Sequence, residues 1–217
     1  LQQLPVLFAI DRAGIVGEDG STHQGLFDVS MFNLMPNVVI TMPYNQEDAI
    51  RLLSYGFFKQ DNPFIIRYPR GVTAFDEQLL IDDVTPRLDW HVLEDGNDVI
   101  LIGYGPSLDL LLQAANQLGV SAKVINARVI KPLDEKMLKT LFETKLNMLV
   151  YEENSNIGSL YPQILKFKEH HGYQNKLLDM SITDQVVNHG SYEDMLKICK
   201  MDEKAVQDNI KRLMACD

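Results

Sequence analysis

The sequence predicts an α/β protein in which mainly parallel sheets are covered by helices on both sides. Uninterrupted apolar runs at 5–10, 64–66 and 99–102 are typical of strands buried inside a parallel sheet. Segments with apolar residues at helical spacing lie between such runs, on short connections. This alternation favours strand–helix–strand units, since parallel neighbours need a crossover connection.

The first predicted domain covers residues 1–75. Pro43 and Asn45 are typical of a helix start, and the apolar residues that follow recur at helical spacing. The elements predicted for this domain are strands at 5–10, 38–42 and 64–67 and helices at 24–35 and 46–58.

A link at 76–97 is predicted to join this domain to a second one at 98–217. The link is acidic, contains Pro86 and has no sustained periodicity apart from an edge strand at 90–93. Regular alternation resumes after it. The elements predicted for the second domain are strands at 99–103, 122–126, 147–151 and 177–181 and helices at 107–118, 134–144, 158–171, 191–199 and 203–214.

Composition excludes several classes of protein. The chain has 217 residues, a net charge of -10 and a pI near 4.9, which argues against a general nucleic-acid binder or a protein of anionic membrane surfaces. No apolar run approaches the roughly 20 residues that span a bilayer. Cys199 and Cys216 are the only cysteines, so neither a disulfide framework nor a cysteine metal cluster is predicted.

Charged side chains follow two of the predicted strands at the edge where ligands usually bind. The segment 11–25, DRAGIVGEDGSTHQG, comes directly after the first strand, and RYPRG at 67–71 follows the third. In open parallel sheets, ligands bind beyond the carboxyl ends of the strands. Guanidinium groups bind phosphate or carboxylate through paired hydrogen bonds. The two segments therefore indicate an anion site containing Arg12 and Arg70.

These segments closely resemble the transketolase-like family of thiamine-diphosphate enzymes. The likeness rests on the 11–25 segment, on Pro43 opening a helix and on RYPRG; KPLD at 131–134 and YEEN at 151–154 follow in the family's order. The resemblance implies part of a pyrimidine-binding domain followed by a complete transketolase C-terminal domain. Compared with the family, the chain starts inside the pyrimidine-binding domain, so we expect it to be the C-terminal portion of a longer polypeptide.

By this resemblance, four residues would form the substrate site. His23 and Asp19 would contact substrate oxygens, and Arg12 and Arg70 would hold the phosphate of an aldehyde. Without the resemblance, His23 is better explained as part of a helix-capping loop, Asp19 as a turn residue and the arginines as ion-pair partners. Arg67, which ends a strand, is expected to be structural and to pair with a neighbouring acid.

The resemblance also implies thiamine diphosphate and Mg²⁺ as cofactors, bound mainly upstream of residue 1. Glu18-Asp19-Gly20 lacks the first glycine of the family's diphosphate motif, so no cofactor or metal ligand is assigned here. Gly103-Tyr104-Gly105 lacks the third glycine of a dinucleotide loop and is expected to begin a helix. Glu152 and Glu153 are expected to be helix-end or interface charges, because Ser159 replaces a glycine of the family pattern.

The implied reaction condenses pyruvate with glyceraldehyde 3-phosphate, with loss of CO₂, on the route to isoprenoids, thiamine and pyridoxal. A homodimer in the cytoplasm, or in a plastid-type organelle, is expected, and the fragment alone is expected to be inactive. Two alternatives remain open at this point. The chain could belong to another family member, such as a transketolase or a 2-oxoacid dehydrogenase β-chain, or it could be a non-catalytic assembly module.

Overall fold

In the computed structural model, which describes residues 4–71, 76 and 88–215, the strands form two sheets. The first contains, in spatial order, β1 (Leu7–Ile10), β3 (Phe64–Arg67), β2 (Val39–Thr41) and β7 (Val129–Lys131). The second contains β4 (His91–Glu94), β6 (Ala122–Asn126), β5 (Val99–Gly103), β8 (Met148–Ser155) and β9 (Leu177–Ile182). Most strand pairs are parallel, so the predicted α/β class is confirmed.

Three of the described α-helices begin at a residue whose side chain caps the N-terminus. The side chains of Asn45, Asp134 and Ser191 each accept a hydrogen bond from the backbone N–H three residues later. The helices are α1 (Asp28–Asn33), α2 (Gln46–Phe58), α3 (Leu108–Leu118), α4 (Glu135–Glu143), α5 (Leu160–His171), α6 (Tyr192–Ile198) and α7 (Glu203–Met214). Among the described residues, no helix has the length and apolar character needed to cross a bilayer.

Strand β7 was not predicted, and it connects the two halves of the chain. It pairs antiparallel with β2, so a segment of the C-terminal half completes one edge of the N-terminal sheet. Next to this contact, the Lys131 ammonium donates to the carbonyl oxygen of Asn33 at 2.9 Å and to that of Met35. Cations stabilise the carbonyl end of a helix, so Lys131 holds the end of α1 against the C-terminal half.

The apolar core is shared between the halves. Phe64 and Ile65 of β3 belong to the same buried cluster as Ile100 and Ile102 of β5. Trp90, in the predicted link, is also buried there, and its indole N–H donates to the Val129 carbonyl at 2.8 Å. Strand β4 follows Trp90 and pairs with β6 at the edge of the second sheet, as the sequence predicted.

Candidate active site

The two charged segments leave the first sheet at the same edge. Strands β1 and β3 are parallel neighbours, and Ile10 lies opposite Arg67 at their carboxyl ends. The pairing continues into the loops, since the Ala13 N–H donates to the Tyr68 carbonyl at 3.0 Å. The segments 11–25 and 67–71 therefore lie side by side, as the topology of a parallel sheet requires.

Arg12, Asp19 and Arg70 meet in one ion-pair cluster. Arg12 Nε lies 2.9 Å from Asp19 Oδ2, and Arg70 Nη1 lies 2.8 Å from Asp19 Oδ1. Arg12 also pairs with Asp11 at 2.8 Å, and Arg70 Nη1 lies 3.6 Å from Glu18. Two guanidinium groups thus approach the two oxygens of one carboxylate, which is an arrangement that can hold an anion.

These contacts lower the pKa of the Asp19 carboxyl. The hydrogen bond from Arg12 is the largest cause; burial opposes it, and the positive charge of Arg70 adds a smaller lowering effect. His23 also contributes a favourable charge interaction at Asp19. Asp19 is therefore ionised at neutral pH and can accept hydrogen bonds.

We expect a carboxyl ¹³C titration to give Asp19 a midpoint below the ordinary aspartate value of about 3.9. Because its folded-state pKa is lowered, its contribution to stability is complete above about pH 4 and is lost as the pH falls through the lowered pKa. Arg12→Ala should move the midpoint towards the ordinary value. Arg212→Ala, on the exposed last turn of α7, should leave it unchanged; a similar shift in both variants would contradict the assignment.

His23 lies at the exposed end of the same loop. Its Nδ1 atom is 3.0 Å from the hydroxyl of Thr22, and which atom donates depends on the imidazole tautomer. Within the described part of the chain, hydrogen bonds do not join His23 to Asp19 or to either arginine. The structure therefore brings three of the four predicted site residues into direct contact and places the fourth on the same loop.

Arg67 is structural, as its sequence position suggested. Its side chain is fully buried and forms a paired contact with Asp28, through Nε–Oδ2 at 2.7 Å and Nη2–Oδ1 at 2.9 Å. Nη2 also donates to the Gly25 carbonyl at 3.3 Å, and the guanidinium lies 5.8 Å from the centre of the Tyr104 ring. Arg67 thus anchors the end of the 11–25 segment and contacts the C-terminal half.

A cavity of about 860 Å³ lies between this edge of the first sheet and the C-terminal half. Its lining includes Arg70 and residues 13–15 from the first half, and Tyr104, Glu153 and Tyr192 from the second. Arg12, Asp19 and His23 are not part of the lining. Of the four predicted site residues, Arg70 is therefore the one that faces this cavity.

Sequence reasoning missed the role of Glu153 in this region. It was expected to be a helix-end or interface charge, and it does lie between the halves. It also contacts the 11–25 segment directly, because Oε2 accepts from the Ile15 N–H at 3.1 Å. Its other oxygen accepts from the Tyr192 hydroxyl at 2.6 Å. The pair of glutamates in YEEN at 151–154 could have marked this position in the sequence. The partners of Glu153, Ile15 and Tyr192, lie far from it along the chain.

The described residues contain no cluster of metal-binding side chains. Over those residues, no group of three or more His, Cys, Asp or Glu side chains could hold a metal ion. We therefore derive no catalytic step through a cofactor or metal from these residues.

Two family models match the chain. The model "Transketolase, pyrimidine binding domain" matches residues 1–74, and the model "Transketolase, C-terminal domain" matches residues 88–206.

Curated relatives are similar over nearly all of the chain. The 1-deoxy-D-xylulose-5-phosphate synthases of Geobacillus thermodenitrificans and Listeria innocua are 39% and 37% identical, over 98% and 99% of this chain. That of Carboxydothermus hydrogenoformans is 35% identical over 99%. The chain spans about a third of the length of these relatives, 34–35% of each.

A solved structure has a similar fold. The split gene transketolase, in an inactive beta4 tetramer, superposes with a TM-score of 0.78 over 97% of this chain and 66% of its own chain. Its sequence identity to this chain is 21%, so the likeness concerns the fold alone.

Proposed function

The chain belongs to the transketolase family, and from this premise we propose that it is part of an enzyme that makes 1-deoxy-D-xylulose 5-phosphate. The substrates are pyruvate and D-glyceraldehyde 3-phosphate, and CO₂ is released. Support for this choice within the family comes from the curated relatives, which are named as synthases of that product. The product would serve as a precursor of isoprenoids, thiamine and pyridoxal.

The convergence of Arg12 and Arg70 is the observation that carries the proposal. Both guanidinium groups reach oxygens of the same carboxylate at 2.8–2.9 Å, so both can reach oxygens of one phosphate. They are also partly exposed, with 44% and 48% of their side-chain surfaces accessible to solvent. Such a pair can hold the phosphate of the aldehyde and place its carbonyl carbon for reaction.

Asp19 and His23 act on the oxygens of the substrate. The ionised Asp19 accepts hydrogen bonds from substrate hydroxyls, and the exposed imidazole of His23 forms hydrogen bonds with substrate oxygens. Thiamine diphosphate, when bound, supplies the nucleophilic carbon and the electron sink for decarboxylation. With Mg²⁺, it is held largely by protein outside the described residues, either in the same polypeptide or in a separate subunit.

A second copy of the chain is part of the proposed assembly. Large apolar side chains are exposed beside α1. They are Phe27, Met31, Leu34, Met35 and Ile157. An exposed patch of this kind marks an association surface, and the proposal assigns it to a homodimer. The cytoplasm remains the proposed location.

The complete gene product, with thiamine diphosphate and Mg²⁺, is expected to release CO₂ from [1-¹⁴C]pyruvate when glyceraldehyde 3-phosphate is present. 1-Deoxy-D-xylulose 5-phosphate should accumulate in equal amount, as measured by mass spectrometry. Omission of thiamine diphosphate should abolish both products. The chain of 217 residues, assayed alone, is expected to be inactive.

Two other outcomes would reject the proposal in favour of its rivals. Transfer from a ketose phosphate donor without pyruvate consumption would indicate a transketolase. Absence of turnover with any of these substrates, in a folded and cofactor-loaded gene product, would indicate an assembly module.

A further inference from the structure

The carboxylate of Glu153 belongs to β8 in the C-terminal half but contacts the backbone of residues 11–25, which we call the substrate segment after the function proposed above. Its Oε2 atom accepts from the Ile15 N–H, three residues after Arg12. The approach is close, because a Cβ atom added to Gly14 would lie 2.8 Å from the same oxygen. Gly14 also has a φ of +83°, which a larger residue would adopt only with strain.

A second contact between the halves holds the segment at Gly17. The Gly190 N–H, in the turn before α6, donates to the Gly17 carbonyl at 3.3 Å. A Cβ atom on Gly17 would lie 2.7 Å from the Gly190 carbonyl oxygen, so the two backbones lie in direct contact. Beside them, the Gln24 amide donates to the Asn188 carbonyl at 3.4 Å.

Tyr192 connects these two contacts. It is the first residue of α6, directly after the turn that reaches Gly17, and its hydroxyl donates to Glu153 Oε1 at 2.6 Å. The bond between Tyr192 and Glu153 therefore ties the α6 turn to the β8 carboxylate, and both of these hold the substrate segment. Burial raises the pKa of the Glu153 carboxyl, and the bonds from Tyr192 and Ile15 oppose that shift.

The position of Arg12 depends on this arrangement. Arg12 has a φ of +55°, a left-handed conformation that is uncommon for residues other than glycine, so neighbouring contacts must hold it. On one side of the segment, Ala13 is bonded to Tyr68, and Gly14 and Gly25 exchange two hydrogen bonds at 2.9 Å. On the other side, Glu153 holds Ile15.

We propose that Glu153, supported by Tyr192, is a positioning residue by which the C-terminal domain holds the substrate segment in its working position. This inference rests on the proposed function, because it assigns the segment to the aldehyde phosphate. Glu153 does not touch the phosphate itself. It acts through the Ile15 backbone on Arg12, and hence on the anion site that Arg12 forms with Arg70.

Glu152 offers a matched comparison within the same strand. Glu152 is fully buried, whereas Glu153 is half-buried, and the hydrogen bonds of Glu152 remain inside the C-terminal half. Its partners are the Tyr104 and Ser159 side chains and the Leu160 and Tyr161 backbone N–H groups, at 2.7–3.1 Å. Loss of its charge should therefore affect stability without affecting the choice of substrate.

The test compares kcat/KM for glyceraldehyde 3-phosphate with kcat/KM for glyceraldehyde, which lacks the phosphate, in the complete gene product. Glu153→Ala is expected to lower this ratio about tenfold, because the anion site is displaced. Glu153→Gln should keep the ratio within about twofold, since its amide oxygen can accept from Ile15 while its NH₂ donates to the Tyr192 oxygen. Glu152→Gln should leave the ratio at the wild-type value.

Amide hydrogen exchange gives a readout that is independent of activity. Peptides covering residues 12–25 should exchange faster in Glu153→Ala but not in Glu152→Gln. If Glu153→Ala does not fold, Tyr192→Phe is measured instead, with an expected loss of about threefold in the ratio because one of the two carboxylate contacts remains.

The outcomes separate this inference from the function on which it rests. The positioning role would be overturned if Glu153→Ala changed neither the kcat/KM ratio nor amide exchange in residues 12–25. If Arg70→Ala still lowered the ratio strongly, the proposed function would remain. An unchanged ratio in Arg70→Ala would overturn the proposed function itself. An equal fall of both kcat/KM values in Glu153→Ala would show a purely structural role and would also overturn the inference.

Discussion

Arg70→Ala is expected to lower kcat/KM for glyceraldehyde 3-phosphate about a hundredfold, because a charge-assisted contact with the phosphate is lost. The phosphate lies away from the reacting carbon, so its binding energy serves to align the aldehyde. Steady-state kinetics with each substrate varied in turn would measure the effect. Binding of thiamine diphosphate should be unchanged, because the proposal assigns Arg70 to the phosphate of the aldehyde.

Lysine at this position should recover only part of the loss. An ammonium group is a single point charge and does not reproduce the two parallel hydrogen bonds of a guanidinium. Arg212→Ala removes an exposed arginine on α7, remote in the fold from the segments 11–25 and 67–71, and serves as the matched control. Equal kcat/KM values for the aldehyde phosphate in Arg70→Ala and Arg212→Ala would rule out the phosphate role.

Asp28→Ala is expected to lower the free energy of unfolding by about 3–5 kcal/mol, because it leaves the buried Arg67 guanidinium without its counter-charge. Arg67 has no accessible side-chain surface, and Asp28 supplies both of its carboxylate contacts, at 2.7 and 2.9 Å. Urea unfolding of the variant and the wild-type gene product, followed by circular dichroism, would measure the difference.

Two further variants separate charge burial from loss of packing. The double variant Asp28→Leu with Arg67→Met removes both charges and should be much less destabilised than Asp28→Ala, since no unpaired charge remains in the interior. Glu169→Ala removes an exposed partner of Lys168 and should change stability by about 1 kcal/mol or less. A loss in Asp28→Ala no larger than in Glu169→Ala would disprove the structural role of the pair.

Elements with a clear local pattern were predicted closely. The bounds of α2, β3, β5, β6 and α7 match the predicted ones, because continuous apolar runs or helical spacing mark them in the sequence. Strand β7 was missed, since Val129–Lys131 is too short to show a period. It is a strand because β2, from the other half of the chain, provides its hydrogen-bond partners.

The candidate site was predictable as separate residues. Arg12, Asp19, His23 and Arg70 stand in motifs that the sequence displays, and Arg67 ends a strand where a structural pair was expected. Their arrangement was not predictable. Asp19 and Arg70 are 51 positions apart, and the fold of the loops decides which carboxylate pairs with which arginine.

By itself, the sequence determined the alternation of strands and helices, the edge of the sheet where the charged segments lie, and the likeness to the transketolase family. The reason is that apolar spacing and contiguous motifs are local properties of a chain. Only the tertiary structure decided that the two halves share a sheet and a core, and that Glu153 bonds the Ile15 backbone across 138 positions. A backbone N–H is the same in every residue except proline, so no sequence pattern marks the one that a distant carboxylate will bind.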